Sequence, residues 1–92
     1  MEITKQNEVY RITDSFETWT TEGTAQKDIT GAVNINFYVS GENSERVGDC
    51  GYFRPNSSES ESINLNIAES NRDKFVTYIN TVINTILEHF AE

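Results

Sequence analysis

Apolar residues near the end of the chain fall at Phe75, Val76, Ile79, Val82, Ile83, Ile86, Leu87 and Phe90. That three-and-four spacing marks one face of an α-helix and predicts a single long helix over residues 71–91. The intervening positions are polar apart from Tyr78. Ser70 is placed to cap the first turn, with Asp73 near the positive end and His89 near the negative end. Such a helix is unstable alone in water, so its stripe must lie on something upstream.

Upstream, the period changes from 3.6 to 2. Val33, Ile35, Phe37 and Val39 alternate with Asn34, Asn36 and Tyr38, which predicts a strand over 30–40 with one dry face. Gly41-Glu42-Asn43-Ser44 has turn chemistry, and a partner strand follows over 46–54, where Gly48 and Gly51 suggest a bulge or a crowded position. Pro55 ends that strand. Ile63, Leu65 and Ile67 alternate with Ser62, Asn64 and Asn66 and predict another over 61–68. The N-terminal part is less patterned. Two strands, about 2–13 and 15–21, are expected, with Thr13-Asp14-Ser15 as the turn and with little signal in the first eight residues. Thr21–Asp28 has no apolar period and reads as a loop. The expected fold is therefore α+β: one domain, residues 1–92, with an antiparallel β-meander of four to five strands. One long C-terminal helix packs on one face and is long enough to cross them.

Charge narrows the partners. Fifteen acids against seven bases give a net charge of −8 over 92 residues. The surplus is spread along the chain, so it belongs to the folded surface rather than to a tail. This disfavours direct binding to nucleic acid phosphates or to an anionic membrane. The chain begins without a basic, apolar leader and contains no apolar run of membrane length, so a cytoplasmic location is the default expectation.

The residues that carry chemistry are sparse. One cysteine, Cys50, and one histidine, His89, do not make a structural zinc site, which takes about four ligands. Phosphate-binding glycine motifs and calcium loops are missing, and no cofactor or metal is expected. His89 falls on the polar side of the helix, and a lone Cys50 is most simply a small buried hydrophobe. An enzyme is not expected.

What remains is surface. If the helix covers one side of the sheet, the other presents Asn34, Asn36, Tyr38, Asn64 and Asn66, uncharged groups suited to adaptable contacts. Trp19 is a further candidate. A lone tryptophan is most often core, yet its strand parity opposes that of Phe16, so an inward Phe16 would free Trp19 to anchor a partner. The leading expectation is a non-enzymatic protein-binding module: an adaptor, a regulatory inhibitor or a homodimeric subunit. A second is an acidic mimic of nucleic acid, as a phage or mobile element might encode. That reading needs Glu42, Glu45, Asp49, Glu59 and Glu61 gathered in a stripe. A third is a small-ligand binder with a cavity lined by Tyr10 or Tyr52.

Overall fold

The computed structural model describes residues 1–6, 9–28, 31–55, 60–68 and 72–91; the Ser70 cap, Glu59 and the start of the predicted helix fall outside them. Among the described residues, six strands precede one helix: β1 Glu2–Gln6, β2 Val9–Phe16, β3 Trp19–Lys27, β4 Val33–Ser40, β5 Arg46–Arg54, β6 Ser62–Ile67 and α1 Arg72–Ala91. Each strand pairs antiparallel with the next, in the order β1-β2-β3-β4-β5-β6. The α+β meander expected from alternation is present, with six strands rather than four or five.

The differences lie in the N-terminal third. The stretch read as one strand over 2–13 is split between β1 and β2, which pair as a hairpin. The next turn is at Glu17-Thr18, not at residues 13–15, and Phe16 pairs directly with Trp19. Glu17 adopts the left-handed φ of 56° that tight two-residue hairpins demand. The segment read as a loop over Thr21–Asp28 is mostly β3, a central strand. Its inward positions are Trp19, Thr21, Gly23 and Ala25, so it lacks the large alternating side chains of β4. A Cβ at Gly23 would collide with the Phe37 side chain, and Ala25 is fully buried.

Contacts at its two ends mark the track of the helix. Near its start, Phe75 packs on Trp19, with ring centroids 5.8 Å apart, and sits over Gly48 of β5. Near its end, Phe90 packs on Tyr10 of β2 at 5.3 Å, and Lys27 Nζ donates to the Phe90 carbonyl. Trp19 and Lys27 are opposite ends of β3. The helix therefore runs lengthwise along the strands, drifting from β5 towards β2, rather than across them. About 30 Å of helix matches the length of a nine-residue strand.

At the β4–β5 pairing, Val39 faces Gly48 and Ser40 faces Arg46, leaving Val47 as the extra residue of a bulge. Both Val47 and Gly48 are buried. A Cβ at Gly48 would sit 2.6 Å from the Phe75 ring, so the glycine lets the helix approach. The core comprises Ile12, Trp19, Ala25, four residues of β4, Val47, Cys50 and Tyr52. Above them lie Phe75, Tyr78, Ile79, Val82, Ile83 and Ile86 of the helix.

Ile83→Asp should unfold the protein, because an unpaired carboxylate in this layer costs several kcal/mol, on the order of the whole stability of about 5–15 kcal/mol. Trp19→Ala should cost about 3–5 kcal/mol. Thermal melts followed by circular dichroism test both.

Candidate functional site

The register builds the outer face row by row. One row joins Gln26, Asn34, Phe53 and Ser62; the next joins Arg11, Thr24, Asn36, Gly51 and Asn64; the third joins Thr13, Glu22, Tyr38, Asp49 and Asn66. Asn34, Asn36, Tyr38, Asn64 and Asn66 are all exposed and share this face. Gly51, having no side chain, leaves a shallow depression of about 680 Å³ among Thr24, Asn36, Tyr38, Arg46, Asp49, Asn64 and Asn66.

The side chains around that depression are tied to one another. Asn36 Nδ2 donates to Asn34 Oδ1 at 3.0 Å, and Asn66 Nδ2 donates to Asp49 Oδ1 at 2.9 Å. Arg46 pairs with the other oxygen of Asp49. Tyr38 Oη donates to Glu22 Oε2 at 2.6 Å, and Arg11 reaches Oε1 of the same carboxylate at 3.3 Å. The phenol and then the guanidinium hold the Glu22 carboxyl below its usual range, while the same carboxylate pushes the Tyr38 phenol up. The acids of this face are thus neutralised locally. Tyr38 and Phe53 remain 47% and 44% exposed, giving the face its two aromatic contacts.

Trp19 belongs to the core instead. It is 4% exposed, under Phe75 and beside Tyr78, while Phe16 lies at the margin of the same cluster and is 38% exposed. Across a two-residue turn Phe16 and Trp19 are direct partners, so they share a face, and parity counted along one continuous strand does not apply. Tyr78, read from the helix as a polar-side residue, is buried because the β2–β3 hairpin folds against it. Phe16 stacks on its ring at 4.9 Å; its hydroxyl donates to Asp14 Oδ2 at 2.7 Å and meets Thr21 Oγ1 at 2.5 Å. Burial pushes its phenol well up, the Asp14 contact adds to that, and the Thr21 contact opposes it. Lys74 caps the cluster, 4.8 Å from the Trp19 ring and paired with Glu17.

Of the acids named for nucleic-acid mimicry, Glu42 and Glu45 lie in the turn before β5, Asp49 is paired on the outer face, Glu61 immediately precedes β6, and Glu59 lies outside the described residues. The helix–sheet space near Tyr10 is filled by His89 and Phe90, both at 5.3 Å ring separation. Tyr52 is buried and donates to Glu61 at 2.5 Å. Cys50 points into the core on β5, separated by β3 and β4 from the Tyr10–His89 contact. Among the described residues, no group of His, Cys, Asp and Glu could hold a metal, and no helix is long and apolar enough to cross a membrane. No family model, curated protein or solved structure matches the chain.

Burial raises the Cys50 thiol from 9.0 to about 11, and burial with the Glu61 contact raises the Tyr52 phenol from 10.0 to about 12. Both groups ionise in the unfolded chain before they do so in the folded one. Their contribution to stability is therefore complete below about pH 9 and disappears as pH rises through about 11 and 12. Urea unfolding between pH 7 and 12 should show a plateau and then a fall. The Cys50 thiol should react with an aromatic disulfide reagent only as fast as the fold opens.

Proposed function

We propose that this protein is a non-enzymatic protein-binding module and that it binds through the outer face of its sheet. The observation that supports this reading is the three hydrogen-bonded pairs Asn36–Asn34, Tyr38–Glu22 and Asn66–Asp49, of which Asn36, Tyr38, Asn66 and Asp49 line the Gly51 depression. A solvated sheet face usually carries separate, mobile charged side chains. Here short amide and phenol groups are held by their neighbours, so little side-chain entropy is lost when a partner docks. Tyr38 and Phe53 supply apolar contact area beside them. Adaptor, inhibitor and subunit roles all use such a surface. The positions of Cys50 and His89, each engaged in packing and on different strands or elements, give no support to nucleophilic chemistry.

Asn36→Arg sets a long cation in the middle row. It should weaken capture of the native partner by about tenfold or more, as a desolvated, unpaired charge would. The melting temperature should stay within a few degrees, because Asn36 is exposed and its change touches no core residue. Affinity capture from the native host with wild-type and Asn36→Arg protein, followed by titration of the captured partner, reads this directly. Equal binding by both proteins would place the partner elsewhere.

A further inference from the structure

A helix about 10 Å wide lies over a sheet whose outermost strands are about 24 Å apart, so it leaves the edges bare. Because α1 drifts from β5 towards β2, the exposure is graded along β6. Ile67 and Leu65 are half-buried, whereas Ile63, farther from the start of the helix, is 42% exposed. All three lie on the dry face of the last strand of the sheet.

Among the described residues, no strand pairs with the outer side of β6. Ala68 N donates to Val47 O at 2.8 Å, which fixes which residues of β6 turn towards β5. By alternation, the N–H and C=O groups of Ser62, Asn64 and Asn66 point inwards to β5, and those of Ile63, Leu65 and Ile67 point out of the sheet. Edge strands normally guard such groups with a charge, a proline or a bulge. Ser62–Ile67 has none of these: its sequence is Ser-Ile-Asn-Leu-Asn-Ile, and its register with β5 is unbroken.

We propose that two copies of the chain pair antiparallel through β6, with Leu65 on the two-fold axis, joining two six-stranded sheets into one of twelve. The outward groups in both copies belong to odd-numbered residues, so donors meet acceptors only when odd positions face odd positions. Centring on Leu65 places Ile63 opposite Ile67 of the second copy and uses all three outward residues of each strand. Centring one residue earlier sets Ile67 against Glu61, an apolar side chain against a carboxylate. In the favoured register both helices lie on the same side, the apolar side chains form one strip between them, and Asn64 faces Asn66 on the outer side. Charge opposes the pairing: two chains of net charge −8 repel, and by sequence number this register sets Glu61 of one copy opposite position 69 of the other, a second glutamate, although β6 itself carries no charged side chain. Two six-residue strands make a small contact, of the weak and transient class of interface.

This pairing uses a different surface from the middle of the outer face, and the two readings fail separately. Sedimentation equilibrium from about 1 µM to about 1 mM should show the wild-type chain and Asn36→Arg dimerising alike, and salt should tighten the dimer by screening the like charges. Ile63→Lys, a change at an exposed position, should weaken it at least about tenfold with an unchanged circular dichroism spectrum. In the wild type, amide exchange at residues 63, 65 and 67 should slow as concentration rises. A wild-type chain that stays monomeric at about 1 mM would overturn the proposal. So would a dimer unaffected by Ile63→Lys, or concentration-dependent protection that misses those three amides.

Discussion

One narrow helix on a wide sheet is the constraint on which the rest of this structure depends. A six-stranded antiparallel sheet needs its dry face covered, and α1 is the only helix among the described residues. Lying lengthwise, it covers the middle strands completely, and the burial pattern follows. Val33, Ile35 and Val39 of β4 are fully buried, whereas Ile3 at one edge and Leu65 and Ile67 at the other are only partly covered. Side-chain size follows the same geometry. Gly23, Ala25 and Gly48 lie where the helix or a neighbouring strand comes closest, and the large Trp19, Phe75 and Tyr78 fill the end where the hairpin turns up against it.

The two faces of the sheet consequently do different work. The dry face is committed to the helix and gives up apolar surface at its margins, at Ile63 of β6 and at Phe16 beside the β2–β3 turn. On the wet face, Glu22 and Asp49 are each held by a cation and a neutral donor, and the central row is closed by Asn36, Gly51 and Asn64. Among the described residues, Glu22, Asp49 and Glu17 are paired with Arg11, Arg46 and Lys74. The proposed contact surface rests on the hydrogen-bonding groups and aromatics of the wet face rather than on charge.

Much of this was legible in the sequence wherever periodicity is produced by packing against large residues. The stripe from Phe75 to Phe90 and the alternation in β4 and β6 each reflect a face buried against bulky neighbours, and the glycines of β5 marked its bulge. β3 was not legible for the opposite reason. Its inward positions after Trp19 are Thr21, Gly23 and Ala25, with Gly23 crowded by Phe37 of β4, so its alternation is between small and polar and resembles a loop. The signal available was that Thr21, Gly23 and Ala25 recur at every second position. Trp19 and Tyr78 required the hairpin to be placed correctly. Moving the turn from residues 13–15 to Glu17-Thr18 makes Phe16 and Trp19 partners on one face and brings both against Tyr78. The five residues Asn34, Asn36, Tyr38, Asn64 and Asn66 could be assigned to one face from parity alone, but their mutual hydrogen bonds depend on strand register, which parity does not determine.

The direction of the helix is the most direct test, since the covered core and the exposed β6 edge both derive from it. Nuclear Overhauser contacts between assigned aromatic protons measure it without any mutation. Contacts from Phe75 to Trp19 at one end, and from Phe90 to Tyr10 at the other, are predicted. Contacts joining Phe90 to Tyr52 or Ile63 would instead mean that the helix crosses the strands towards β6 and would contradict the account.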